Sequence, residues 1–529
     1  MKFLKNLIGS NRINLLSLFV TFVGIFITMP IFFIVIESFL LDLSVINFYE
    51  SITGYISETS KLVFYTAIIS LLLAVPAAWI VTYHRFRFKN IIDLLLILPL
   101  SIPCYIMAFT YADILGFNGY ADVFFKNLFN TRLTFDVITI EWLSLFLALA
   151  LYPYVYTTSR ISFSLLGTTY LDLAKSLGMS DLKKLFKVGL PLSLSGIFSG
   201  LLLVIMEVLN EYGAVNYFGI ETFSVGIFKY WFSMDNKALA ILFSLFLLLI
   251  IFAILRVSTY IKNKNRRFTY HIKSSQIISK PIKNISLRII HYAIVFFPIL
   301  FGLFVPLVFI INNVRKHINE FNWEELIKIT GNSLNVALLS SLIIVIVALL
   351  ILQMKRNNES RWIRLIINFL STGYAIPGAV IGLSFMLIIQ YVGGGFSILM
   401  GTLSLLIYAY LFRFIAVSIF PLEANFQRQP KEFDHLGKSL GLSSFEVFKK
   451  INLPLSKLAI LSSFLMVFID VLKELPLTLI LRPFNYDTLA TQAYQHATEE
   501  MLSFSSIYSL GIIIFCAVII VFVKLILKK

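Results

Sequence analysis

DLAKSLGMSDLKKLFKVGLPL, residues Asp172–Leu192, and HLGKSLGLSSFEVFKKINLPL, residues His435–Leu455, are two versions of one pattern. Ser-Leu-Gly and Leu-Pro-Leu recur at a constant offset of 263 positions. Each stretch is a polar island between long apolar runs. In each, a short helical pattern stops at a glycine (Gly178, Gly441). Ser180 or Ser443 then offers an N-cap for a short amphipathic helix, and Leu-Pro leads into the next apolar run, where proline suits a first helical turn. Ser443 and Glu446 stand at capping-box spacing.

The rest of the chain fixes the setting of the islands. Of 529 residues 58% are hydrophobic and only 14% charged, with a mean hydropathy of +0.87, more apolar surface than a water-soluble domain can hide. The class is an all-α polytopic membrane protein. The net charge of +16 does not indicate nucleic acid, because the basic residues fall between apolar spans; it is the Lys and Arg excess of cytoplasmic loops. Cys104 and Cys516 both lie in apolar runs and suggest neither a disulfide nor a thiolate metal site. The first apolar run lacks a cleavage pattern and reads as a retained span.

Hydropathy divides the chain into about 12 spans. Six fall at about Leu15–Leu40, Lys61–Tyr83, Ile91–Leu115, Ile138–Tyr156, Pro191–Leu209 and Ala238–Tyr260. Six more fall at about Ile289–Ile311, Ser333–Leu352, Ile363–Gln390, Ile398–Phe420, Leu455–Leu481 and Phe504–Leu527. Residues 1–262 form a first repeat, the basic stretch 263–288 a cytoplasmic linker, and 289–529 a second repeat. Pro30 and Pro306 in the opening spans, and Pro103 and Pro377 in the third, extend the internal likeness. Each repeat has an even number of spans, so the two are parallel and their interface is the natural pathway. Acidic external loops and basic internal ones place the N- and C-termini and both islands in the cytoplasm. An isolated helix as short as those of the islands is marginal in water, so two matched, basic, amphipathic helices form a docking surface for a partner. The competing use, resting on lipid headgroups, would not demand one shared spacing.

At the islands the sequence resembles the inner-membrane permeases of ATP-binding-cassette importers. Their signature, Glu-Ala-Ala, three residues, Gly, nine residues, Ile, one residue, Leu-Pro, is matched by Asp172, Leu173, Ala174, Gly178, Val188, Leu190 and Pro191. The second copy gives His435, Leu436, Gly437, Gly441, Ile451, Leu453 and Pro454. The Glu-Ala-Ala part has drifted in both. EVLNEYGAVNYFG at Glu207–Gly219 and DVLKELPLTLILRPFNYDTLAT at Asp470–Thr491 narrow the likeness to the ferric-iron importer permeases; thiamine, phosphonate and polyamine permeases share the scaffold. The resemblance implies a type I importer permease fold in a bacterial plasma membrane. It also implies two copies of a cytoplasmic ATPase carrying ATP and Mg, an external substrate-binding protein, and Fe(III) as cargo.

Glu211 and Glu474 each lie 33 residues after their island glycine, just past a span. With Glu207, Tyr212, Asp470, Lys473 and Arg482 they form a charged set at a depth where charge needs a partner or a water-filled cavity. A gate or a docking point for the external protein is expected there; the alternative is structural, with Lys473 and Glu474 paired with each other or across the pseudo-twofold. Transient Fe(III) contact by the hard oxygens of Glu211 and Glu474 is a second use. Gly437, Lys438 and Ser439 imitate the end of a phosphate-binding loop, but position 432 is Glu432 and no strand precedes it. The chain is therefore expected to have no ATP site or cofactor of its own, and not to be an enzyme. A gradient-driven secondary transporter would show parallel repeats too, but it would carry ionisable midspan segments and would not need the islands.

Overall fold

The structure, a computed structural model, describes residues 15–41, 48–85, 87–131, 136–166, 169–265, 285–357, 361–393 and 398–527. The basic N-terminal residues and most of the linker, 266–284, lie outside these. The described chain is helical, with no strand. Only closed helical hydrogen bonding lets apolar segments this long cross lipid without orphaned backbone groups.

Among the described residues eight helices are long and apolar enough to cross a membrane, or eleven if each of three bent pairs is one span. A shorter apolar stretch, Gly24–Leu40, lies in the helix Leu15–Leu40 where the first expected span falls. Two of the bends come from proline. Lys89–Ser101 meets Cys104–Phe129 at 92°, and Ile363–Ala375 meets Gly378–Tyr391 at 112°. In both, an extended isoleucine (Ile102, Ile376) precedes a proline at the N-cap (Pro103, Pro377), because proline drives the residue before it out of the helical region. Span boundaries move accordingly. The second helix starts at Phe48, well before Lys61, and the span expected to run to Leu481 stops at Leu472, with Pro476–Leu481 as a separate helix.

Two compact units result, and neither is a contiguous repeat. One gathers described residues of Met1–Leu43, Asn322–Gln492 and Val521–Lys529; the other gathers those of Ser44–Phe321 and Ala493–Ile520. The opening span of each sequence repeat thus belongs to the unit built mainly from the other repeat. In the first unit Phe26 stacks on Tyr408 with ring centroids 4.7 Å apart, and Phe32 on Phe369 at 5.5 Å. In the second, Tyr111 donates its hydroxyl to Phe301 O at 2.5 Å. The repeat division at 262 and 289 therefore describes the sequence and not the compact bodies.

Each unit has its own core. Tyr152, Tyr156, Phe146 and Phe163 are fully buried in one, and Tyr410, Phe412 and Phe385 in the other. One buried charge in the core of Tyr152 and Tyr156 is matched: Asp93 accepts from Tyr156 Oη at 2.7 Å and Arg160 Nη1 at 2.8 Å. A buried carboxylate is tolerable only with such partners.

Candidate functional site

Both islands fold as their sequences indicate. The helix Thr169–Ser176 ends at Gly178, and Glu432–Ser439 ends at Gly441. Gly178 has φ +75° and Gly441 φ +83°, the left-handed conformation that glycine adopts without penalty. The turn satisfies carbonyls at the helix end: Met179 N–H donates to Ala174 O at 3.1 Å, and Leu442 N–H to Gly437 O at 3.0 Å. In the second copy Gly441 N–H also donates to Lys438 O at 3.0 Å, completing a Schellman motif. Ser180 Oγ then accepts from Lys183 N–H, and Ser443 and Glu446 close a full capping box. Both following helices pass through a five-residue π turn, Leu185–Gly189 and Phe448–Asn452.

A Cβ added at Gly178 or Gly441 would meet nothing within 4 Å, so alanine at either site brings backbone strain alone, about 1–2 kcal/mol. The helix preceding Gly441 has an anchor outside its island. The Arg356 guanidinium fixes the second island helix through Asp434 and also reaches Pro430 O. We expect Gly178→Ala and Gly441→Ala to lower transport unequally, read as ATP-driven uptake by reconstituted protein. Equal losses would mean that the anchor has no bearing on coupling.

Ala174 and Gly437, which hold one signature position, are both buried, each turned inward toward the following helix. At Gly437 an added Cβ would come within 3.0 Å of Ile451 Cδ1 and Val447 Cγ2. Ile451 itself is half-buried, as are Leu190 and Leu453, while Asp172, His435, Pro191 and Pro454 are exposed. The outward faces carry residues that the signature does not include. Tyr170, Leu173, Leu177 and Leu182 are exposed by 40%, 58%, 75% and 70%; Phe433, Leu436, Leu440 and Phe445, at the same offset of 263, by 42%, 60%, 81% and 70%. Four large apolar side chains thus stand out at four matched positions in each island. The recurrence is legible in the sequence, but their exposure emerges only when the buried faces are known.

The islands differ in how they join their spans. Asp181–Asn210 is one continuous 30-residue helix, whereas Ser444–Leu455 meets Lys457–Leu472 at 75°. At that bend Ser456 Oγ accepts from Gln429 Nε2 at 2.9 Å and donates to Asn425 Oδ1 at 3.0 Å. Asn452 Nδ2 reaches Gln353 Oε1 at 3.3 Å. Near the first island His84 packs against His291 with ring centroids 4.6 Å apart. Burial, reinforced by that neighbour, lowers the His84 pKa to about 4, so His84 is neutral near pH 7.

The charged set past the fifth spans divides between the units. Glu207, Glu211 and Tyr212 belong to one; Asp470, Lys473, Glu474 and Arg482 to the other. Glu211 and Glu474 do the same local work. Glu211 Oε1 accepts from Ala214 N–H at 2.9 Å, capping the helix Gly213–Tyr217. Glu474 accepts from Leu477 N–H at 3.1 Å, Thr478 N–H at 3.0 Å and Thr478 Oγ1 at 2.9 Å, capping Pro476–Leu481. A carboxylate suits the positive end of a helix.

The expected Lys473–Glu474 pair does not form. Lys473 reaches Asp470 at 3.2 Å, Arg482 pairs with Asp487, and Glu474 faces the buried Arg413, with Nε 3.9 Å from Oε1. Helical geometry accounts for the exchange: Asp470 and Lys473 are three residues apart and share a face, while Glu474 lies past the helix end and turns inward. Tyr212 is stacked on Phe228 at 3.8 Å, and Asn216 Nδ2 donates to Tyr494 Oη at 2.7 Å beside it. Glu207 is half-buried. Among the described residues no group of three His, Cys, Asp or Glu side chains could hold a metal ion. Arg413 and Arg356, which organise these sites, carry no motif; their only signal was a cation interrupting or ending an apolar run.

Comparison with known proteins agrees with the geometry. The family model for the binding-protein-dependent transport system inner membrane component matches residues 70–267 and 350–529, once in each repeat. The chain is 24% identical to the Fe(3+)-transport system permease protein FbpB 2 of Haemophilus influenzae, over 95% of this chain and 96% of that protein. It is 28% identical to the sulfate transport system permease protein CysT of Salmonella typhimurium, over 37% of this chain and 71% of that one. Likeness to the molybdenum transport system permease protein ModB of Haemophilus influenzae is 29%, over 27% and 62%.

Proposed function

Since the chain belongs to the family of binding-protein-dependent transport system inner membrane components, with the family model matched twice in one polypeptide, we propose that it is the transmembrane permease subunit of an importer for Fe(III). In this reading an external binding protein delivers the cargo, and two copies of a cytoplasmic ATPase, which hold ATP and Mg, drive its passage. The permease binds no cofactor and catalyses no reaction. It lies in the plasma membrane with both termini on the cytoplasmic side, as the distribution of basic residues supports.

The observation that carries the proposal is the matched pair of islands. Each offers Leu173 and Leu177, or Leu436 and Leu440, to solvent on a helix whose glycine turn, cap and π turn coincide in register with the other's. Exposed apolar groups of this size on a polar, basic segment mark a protein contact. Two copies of one ATPase would meet nearly the same surface twice. Asp172, Ala174, Gly178, Leu190 and Pro191, with His435, Gly437, Gly441, Ile451, Leu453 and Pro454, shape that surface from behind. Movement of the islands would then pass along the helices that join them to the fifth spans, giving alternating access.

Iron is favoured over other cargoes because the relative sharing nearly the whole chain is an Fe(3+) permease, whereas the sulfate and molybdenum relatives align over a part. Thiamine, phosphonate or polyamine remains the second reading of the cargo. Glu207, Glu211, Tyr212, Asp470, Lys473, Glu474 and Arg482 would form the external gate or docking points. Glu211 and Glu474 would touch cargo only in a state that frees them from their helix caps. A gradient-driven carrier is less well supported, since it has no use for twin islands.

The test is ATP-driven uptake of radioactive iron by proteoliposomes holding the permease, its ATPase and its binding protein. Leu177→Glu with Leu440→Glu should reduce ATPase co-purification at least about tenfold, since each buries a charge at the contact. Iron uptake that persists without ATP, or an ATPase still bound to the double variant, would overturn the importer reading. ATP-driven uptake of thiamine or an oxyanion in place of iron would change the cargo alone.

A further inference from the structure

In the unit built mainly from the first repeat, a groove of about 410 Å³ runs along the span Ile285–Lys316, under the short helix Tyr120–Phe129. Its walls are apolar. Leu300, Phe304 and Val308 line it and remain 47%, 43% and 65% exposed. A π turn, Leu300–Phe304, interrupts the span at this level, and such turns widen a helix locally. At one end the lining becomes polar. Asn312 Nδ2 donates to Tyr120 Oη at 2.9 Å, and Lys316 Nζ donates to the same oxygen at 2.6 Å while lying 4.8 Å from the centre of the Tyr120 ring.

We propose that this groove holds one anionic glycerophospholipid, with an acyl chain along Leu300, Phe304 and Val308 and the phosphate at Lys316 and Asn312. Three features select that occupant. The apolar part belongs to a membrane span, so its surroundings are hydrocarbon rather than water. The polar part sits where the span ends, at headgroup depth, and its cation has a neutral phenol as described partner, leaving its charge uncompensated by that contact. The helix above it turns Phe124, Leu128 and Phe129 outward, at 59%, 59% and 60% exposure, as a helix lying in the membrane interface does.

The site is at the end of this unit opposite the island. Tyr83, which donates to Phe163 O at 2.6 Å, closes the island end of the same bundle. A lipid bound here would brace Ile114 and Tyr120 against the span Ile285–Lys316, elements that the two sequence repeats contribute separately. A cation at headgroup level is worth about 1 kcal/mol toward anionic lipid, so reversing it is worth about tenfold or more in affinity.

The experiment is native mass spectrometry of the delipidated full-length permease titrated with phosphatidylglycerol, with phosphatidylcholine and inorganic phosphate as parallel probes. One phosphatidylglycerol should bind ahead of the rest. Lys316→Glu should weaken it about tenfold, Lys316→Arg should restore it, and Val308→Trp should abolish it by filling the groove. Lys316 and Val308 are surface positions, and retention of the ATPase by both variants will show that they fold. Unchanged first-lipid binding in Lys316→Glu and Val308→Trp would overturn the site. Equal preference for phosphatidylcholine would overturn its anionic character, and displacement of the lipid by inorganic phosphate would show a free-phosphate site instead.

Discussion

Arg413→Leu should destabilise the permease by about 3–5 kcal/mol, the range for removing one member of a buried ion pair. Arg413 lies within the span Leu403–Arg428 and is buried, as is Glu474. Its Nη1 donates to Ile376 O at 3.4 Å, at the proline break of the third span. The guanidinium thus joins the fourth span, the broken third span and the capped helix Pro476–Leu481. Without it the Glu474 carboxylate keeps its backbone donors but loses the opposing charge of Arg413. Glu474→Gln should be costly in the same way, because it strands the arginine and weakens the cap.

Combining the two changes should recover part of the loss, since neither charge is then left alone. The measurement is the temperature at which half of the detergent-solubilised protein remains monodisperse, for wild type, both single variants and the double. Strictly additive losses would show that the pair does not couple. The corresponding position in the first repeat, at the offset of 263, is Ala150, so the arginine belongs to the second repeat alone.

Arg356→Ala should uncouple the second island. The side chain is 6% exposed and Asp434 14%. Its Nε donates to Asp434 Oδ2 at 2.5 Å, Nη1 to Phe426 O at 2.9 Å and Gln429 O at 3.3 Å, and Nη2 to Pro430 O at 3.1 Å. One planar group therefore binds the end of a span, the connector and the island helix together. Lysine offers a point charge without the fork and should not replace it. The expected result is a rise of at least about tenfold in amide exchange over residues 432–439, corresponding to about 1.4 kcal/mol or more of local protection, and loss of ATP-driven uptake. Slow exchange in both Arg356→Ala and Arg356→Lys would sink the idea that this side chain sets the island.

Much of this was written in local sequence. Gly178, Gly441, Ser180, Ser443 and Glu446 act within a few residues of themselves, so helix stop, turn and cap are decided by neighbours along the chain. Pro103 and Pro377 break their spans for the same reason. The offset of 263 carried the repeat, the islands and the parallel glutamates.

What the sequence by itself determined, then, was a helical membrane protein of two repeats with a matched island in each. Apolar length, proline and capping chemistry need no distant partner to act. Tertiary structure alone decided three things: which unit each opening span joins, that Lys473 pairs with Asp470 while Glu474 turns to Arg413, and that Arg356 holds the second island. Each depends on residues tens to hundreds of positions apart meeting in space. Within lipid, apolar surfaces offer one another no hydrophobic preference, so packing shape and a few buried polar contacts choose among arrangements that hydropathy leaves equivalent.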